Sequence, residues 1–424
     1  MKKRCAVVVS ALLAAGMLFA MGGNESGSAN KSSSDELTIA IWDKNQEPGL
    51  TKIVQDFTAK TGIKARIQVT PWEQYWTMLE AGATGGSLPD VFWMHPGQFA
   101  LYAQYNMLLD LSAQIKASKT VDMSKFPKDI VKLYNAGGKQ FAMPKDVDTI
   151  ALWYNKTLFD KAGVKYPDAS WTWDTFREAA KKLTAADGSQ YGYTLRPSQY
   201  QIGWYNMVYD MGGEIISADM KKSGFDKPGT ISALTFMENM IKDGSLPPYE
   251  VITENKEEAL FKAGKVAMVT MGSWLVAELC NDDYVKANCD LTVLPKDAKT
   301  GKRVSIYNGL GWAAAANTKN PTGAWALIEY LGSKEAQVRQ SDLGVAISAY
   351  SGTAKNWVAA HPQFNLKAHL DMLADIVLNP HSKKAAAWEN MAVEKLIDVW
   401  TGKRPASAVC PEIAVEMNKM LAEE

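Results

Sequence analysis

From Leu37 to Met94 the chain alternates two hydrophobic periods in strict order. "LTIAIW" (Leu37–Trp42) is a short apolar run that suits a buried strand. Leu50, Ile53, Val54 and Phe57 then repeat at helical spacing and stop at Gly62. Ile63, Ala65, Ile67 and Val69 alternate as a strand does, a helix is expected over about Trp72–Ala83 before Gly85-Gly86, and "PDVFWM" supplies a third strand. Strand, helix, strand, helix, strand with short connections leaves few choices. The predicted class is α/β, with a mostly parallel sheet covered by helices.

The pattern continues through a helix at Gln98–Tyr105 to a segment of different character, "AMPKDVDTIALWYNKTLFDKAGV" (Ala142–Val164). Ile150–Leu152 form an apolar run, yet Lys145, Asp146 and Asp148 crowd its start, where desolvating a carboxylate is costly. A second α/β region follows. Thr172 can cap a helix whose stripe is Trp173, Phe176, Ala180 and Leu183. "NKEEALFKAG" reads as a helix ended by Gly264, "KVAMVTMGSW" as a strand reaching Trp274, and "SIYNGLGWAAAA" (Ser305–Ala316) as another strand. Pro321 opens a further helix, and the tail from Lys384 is helical. No repeat of solenoid period is present.

A chain of 424 residues exceeds one ordinary core, so two or three domains are expected. Lys2, Lys3 and Arg4 precede an apolar run from Ala6 to Ala20, shorter than a bilayer span, which reads as a secretory signal over residues 1–22. Removing it leaves 43 basic residues against 46 acidic, which excludes a polybasic nucleic-acid surface. Residues 23–35, rich in Gly, Ser and Asn, read as a flexible linker. Leu18-Phe19-Ala20-Met21 is similar to a lipoprotein lipobox, but Met21 stands where the lipid-bearing Cys has to be, so anchoring at the outer face of the membrane stays open. In an exported chain Cys280 and Cys289 are candidates for a short-loop disulfide, with two ordinary buried thiols as the alternative, and Cys410 is left unpaired.

Enzyme motifs are missing: no G-x-S-x-G, no H-E-x-x-H, no phosphate loop ending in G-K-[ST], no C-x-x-C. The four histidines, His95, His361, His369 and His381, lack metal-ligand spacing, and no metal or cofactor is expected. The chain does carry 14 Trp and 16 Tyr, and Trp42, Trp93, Trp153 and Trp274 all follow apolar runs. Ligands of open α/β sheets bind beyond strand ends, and a flat indole suits the C–H face of a pyranose while a neighbouring carboxylate takes its hydroxyls. Trp42 beside Asp43, Trp93 and Trp274 therefore point towards carbohydrate, against core packing for Trp153, Trp325 and Trp400.

"IAIW", "GSLPDVFWM", "YNKTLFDKAGV", "SWTWDTFREAAKKLT", "FKAGKVAMVTMGSW" and "NTKNPTGAWALIEYL" stand in an order that resembles the extracellular solute-binding proteins of family 1, the maltose-binding-protein-like sugar receptors of ABC importers, from about Leu37 to the C-terminus. The resemblance implies a two-lobe, type II periplasmic-binding-protein-like fold with discontinuous lobes: 36–146 plus 308–350, and 150–305 plus 355–424. Hinge crossings would fall near 147–152, 305–308 and 350–355. It implies Asp148 at the cleft floor as a hydroxyl acceptor, Trp93 as a stacking ring followed by His95, and Trp274 and Trp388 as stacking rings from the second lobe. Asp43 would fall where relatives place an Asp or amide, and Pro96-Gly97 where they have a carboxylate. Asn308 is an expected amide contact, Tyr200, Gln201 and Trp204 fall in a ligand-contacting region, and Glu73 and Arg196 are further candidates. The implied function is capture of a neutral sugar or oligosaccharide by lobe closure, as a monomer, for the membrane permease of an ABC importer. A secreted carbohydrate-active enzyme using Asp43 and Asp148, and a receptor for a non-sugar solute, are the alternatives.

Overall fold

The computed structural model describes residues 36–198 and 200–424. The signal and linker expectations fall on residues 1–35 and lie outside the described residues. The first sheet has the order Lys64–Val69, Glu36–Ile41, Val91–Met94, Gly311–Ala314, Ala142–Pro144. Its first three strands are parallel, in the predicted β-α-β-α-β order, with Ile39 opposite Ile67 and Val91. The last two strands are antiparallel additions, Trp312 facing Trp93 on one side and Met143 on the other.

Local sequence accounts for the helices that cover it. Glu47–Thr61 begins with Pro48 in its first turn and buries Leu50, Ile53, Val54 and Phe57. Gly62 ends it at φ +75°, a left-handed conformation that glycine adopts without strain, and its N–H donates to Thr58 O at 2.8 Å. In Trp173–Leu183, which packs instead on Tyr191–Thr194 and Val266–Gly272, the predicted cap forms as a capping box between Thr172 and Thr175.

The second sheet has the order Cys289–Thr292, Ile150–Asn155, Val266–Gly272, Tyr191–Thr194. Here the pairing departs from the mostly parallel expectation, because Ile150–Asn155 runs antiparallel to both its neighbours and only Val266–Gly272 with Tyr191–Thr194 is a parallel pair. "SIYNGLGWAAAA" is also two strands rather than one. Ser305–Tyr307 pairs with Ile376–Leu378, while Gly311–Ala314 belongs to the first sheet. The break falls at Asn308-Gly309, where a Cβ on Gly309 would lie 2.3 Å from the carbonyl oxygen of Asp146. The chain thus passes from first sheet to second through residues 145–149 and returns through 308–310, and the two connections touch.

Cys280 and Cys289 form no bridge. With Cys410 they are buried free thiols, and burial pushes each up to about 12. Cys280 closes the helix Val276–Leu279 and Cys289 opens a strand in register with Asn155, so both serve as small core side chains.

Candidate functional site

Asp148 lies on the first of these connections, and its surroundings answer the cost of placing a carboxylate there. It is 9% exposed, and its Oδ1 accepts the Gln201 side-chain amide at 2.7 Å and the Asn308 N–H at 3.0 Å. Its own N–H donates to Asn308 O at 2.9 Å. Burial, and after it the charge of Asp146, hold its carboxyl well above the usual range. Asp148 does not pair with Lys145. Lys145 is fully buried and pairs with Asp146 at 2.5 Å, while the other oxygen of Asp146 accepts Leu310 N–H at 2.8 Å.

Lys145 also reaches into the first sheet. Its ammonium lies 4.5 Å from the centroid of Trp93 and donates to Gln46 Oε1 at 2.9 Å. Gln46 donates in turn to Asp43 Oδ2 at 3.0 Å, and Asp43 Oδ1 accepts Asn45 N–H at 2.8 Å. Desolvation raises the Asp43 carboxyl, against the pull of those hydrogen bonds and of Lys145.

His95 stands at the end of Val91–Met94 and caps the helix Pro96–Gln104. Its Nδ1 accepts Gly97 N–H at 3.1 Å, so the ring proton sits on Nε2. Burial lowers its pKa to about 4, which keeps the ring neutral near pH 7. Nε2 lies 3.3 Å from the side-chain amide of Asn308, whose Oδ1 is buried without another partner. The amide orientation that sets Oδ1 against Nε2–H satisfies both groups.

The second sheet contributes Trp274, half-buried in the turn Ser273–Leu275. A Cβ on Gly272 would sit 2.2 Å from its indole, so the glycine gives the ring its seat. One turn later Glu278 accepts the Asn45 amide at 3.1 Å and pairs with Lys262. That contact ties the segment after Trp42-Asp43 to the turn after Trp274. Tyr200 is half-buried and stacked on Tyr205 at 5.1 Å, with the Glu389 carboxyl beside its hydroxyl. Burial raises the Glu389 carboxyl to about 8.

Trp42, Asp43, His95, Asp148, Tyr200, Trp274 and Asn308 are therefore gathered around the two connections. Three other expected site residues are packing residues. Trp93 is fully buried, held edge-on by Trp42 at 4.8 Å and covered by Lys145. Trp204 is buried with its N–H on Pro197 O, and Trp388 with its N–H on Ser382 Oγ. Arg196 is bound to Glu257 at 2.8 Å and Glu258 at 3.6 Å, which leaves it poorly placed for an anionic ligand. Glu73 meets Lys256 at 3.9 Å.

Sequence reasoning missed Trp72, Lys145 as a strut, Glu278 and Glu389. For Trp72 a signal existed. Trp72 and Trp76 are one helical turn apart at the start of Trp72–Gly85, and their shared face meets Trp42. Among the described residues no group of three or more His, Cys, Asp or Glu could hold a metal, and no helix is long and apolar enough to cross a membrane.

The family model for bacterial extracellular solute-binding proteins matches residues 43–338. The galactooligosaccharide-binding protein of Bacillus subtilis is 27% identical over 79% of this chain and 78% of its own. An ABC substrate-binding protein of Listeria monocytogenes, solved with cycloalternan, superposes with a TM-score of 0.83 at 25% identity, covering 91% of this chain and 99% of that one. A solute-binding protein of Thermotoga lettingae bound with α-D-tagatose gives 0.80 at 22% identity, covering 92% and 100%. The fold these share with the chain is a two-lobe α/β architecture.

Proposed function

The chain belongs to the bacterial extracellular solute-binding proteins, and from that premise we propose that it is the exported receptor of an ABC importer, capturing a neutral sugar or oligosaccharide and presenting it to the membrane permease. The lobes are residues 36–146 plus 308–350 and 150–305 plus 355–424, closing about the connections at Asp148 and Asn308. The observation that carries this reading is the meeting of polar groups with indoles at those connections. Asp148, Asn308 and the Nε2–H of His95 offer acceptors and donors held without net positive charge, between half-buried Trp42 and Trp274. Hydroxyls suit such donors and acceptors, and the ring C–H face suits the indoles.

The receptor works by differential affinity for the closed state and does no chemistry on its ligand. Relatives named for galactooligosaccharide and arabinooligosaccharide binding support the sugar class. The test is calorimetric titration of the mature protein with neutral mono- and oligosaccharides, with the sugars checked for integrity afterwards. Saturable binding of intact sugar is expected. Asp148→Ala should weaken it by roughly tenfold or more, the usual scale for a hydrogen bond to a charged group, and Trp274→Ala by a similar factor. Hydrolysis of the sugar, or unchanged affinity in both variants, would overturn the assignment.

A further inference from the structure

Trp72 is the exposed member of an otherwise covered aromatic cluster. It keeps 38% of its surface open, while its ring centre lies 5.1 Å from that of Trp42, 5.5 Å from that of Trp76 and 5.5 Å from that of His95. Two of those neighbours, Trp42 and His95, belong to the candidate site. All three contacts are edge-to-face, at interplanar angles of 80° to 86°. Such contacts fix the orientation of the ring. The next residue, Glu73, faces Lys256 from the part of the chain that carries the second sheet, so Trp72 stands where the two parts approach at the outside of the site. The open part of this indole offers apolar aromatic surface beside Trp42 and His95.

We propose that Trp72 is an outer subsite of the sugar-binding site, on which a second sugar unit stacks after the first has been taken by His95, Asp148 and Asn308. The inference rests on the sugar reading above and deepens it. The inner groups are buried and polar, and the outer one is apolar and reaches solvent. A ligand filling both runs outward from His95, and its second unit touches chiefly one indole. The outer subsite thus selects for chain length and is tolerant of hydroxyl configuration, since any pyranose has a C–H face. Monosaccharides would use the inner groups alone.

The experiment is calorimetric titration of wild type, Trp72→Ala and Trp72→Phe with the di- and trisaccharides of the α-glucan and β-galactan series, each beside its own monosaccharide. In wild type the oligosaccharides of the accepted series should bind more tightly than the monosaccharide. Trp72→Ala should lose that increment, roughly five- to tenfold for one aromatic contact, with monosaccharide affinity unchanged, and Trp72→Phe should restore part of it. Equal weakening for monosaccharide and oligosaccharide would make Trp72 a prop for Trp42 and overturn the subsite. So would oligosaccharide affinity that ignores the substitution. Binding of no sugar by wild type would overturn the sugar reading itself and the subsite with it.

Discussion

Lys145 shows how one side chain can tie a binding surface to the backbone beneath it. Its ammonium is out of water, matched to Asp146, and shared with Gln46 and the face of Trp93. Removing the cation alone leaves the Asp146 carboxylate buried and uncompensated, which costs about 3–5 kcal/mol. Lys145→Met should therefore lower the denaturant midpoint steeply, and Lys145→Met with Asp146→Asn should recover a large part of the loss. Equal stability of wild type and the single variant would remove the strut. Glu389 gives a pH-dependent counterpart. Its folded carboxyl, at about 8 against an ordinary 4.5, keeps a proton that the unfolded chain has already released between those values. Its contribution to stability is thus complete below about pH 4.5 and is lost as pH rises through 4.5 towards 8. Glu389→Gln keeps a partner for Tyr200 and cannot ionise. Thermal melts of the variant should match wild type at pH 4.5 and gain on it steadily to pH 8, by about 1–2 kcal/mol there, a value reduced for partial solvent exposure. Parallel pH profiles would show that Glu389 titrates normally.

At the level of elements, the two connections are set by a glycine that the hydrophobic pattern conceals. A Cβ at Gly309 would meet the Asp146 carbonyl at 2.3 Å, which is backbone with nowhere to go, and Ile130 Cδ1 at 3.3 Å. Gly309→Ala should destabilise by about 1–3 kcal/mol through overpacking. It should also weaken sugar binding, since Asn308 and Asp148 are paired across the same contact; full affinity in the variant would show that the two connections move apart freely. The β-α-β-α-β opening was legible because its periods change from 2 to 3.6 at each boundary and its glycines stop the helices. The split of Ser305–Ala316 was not, because both halves are apolar and the cause of the break lies in another segment. Antiparallel pairing in the second sheet was equally hidden, since a buried strand looks alike in either direction. Among the tryptophans, a position after an apolar run describes both the end of a core strand and the wall of a cleft. Trp93 and Trp274 share that signal, yet Trp93 is fully buried and Trp274 half-buried. What separates them is the company of Lys145 in one case and Gly272 in the other. Trp72 could have been found, as an indole one turn from Trp76 on a helix with a polar opposite face.

For the whole molecule, the contacts around the site that reach from one proposed lobe to the other or to the connection at Asp148 are polar: Asn45 meets Glu278, Gln201 meets Asp148, and Glu73 meets Lys256. Each can be exchanged for water or for a sugar hydroxyl at small net cost, because a hydrogen bond to protein replaces one to solvent. The connections that would turn, 145–149 and 308–310, are short and bear on each other, which suits rotation about a narrow line better than sliding of one part over the other. Opening and closing should then be nearly balanced without sugar, and sugar should decide between them through its extra contacts in the closed form. X-ray scattering of the mature protein should show a smaller radius of gyration when the sugar identified by titration is present at saturation. At a hundredfold excess over Kd, that sugar should add about 2.7 kcal/mol to stability. Glu278→Gln keeps a partner for Asn45 but loses the charge that holds Lys262, so its affinity should fall by roughly two- to fivefold at low salt, with the gap narrowing as salt screens the pair. A radius of gyration that stays constant while calorimetry reports full binding would mean that the site is filled without closure, and the three contacts would then be permanent parts of the fold.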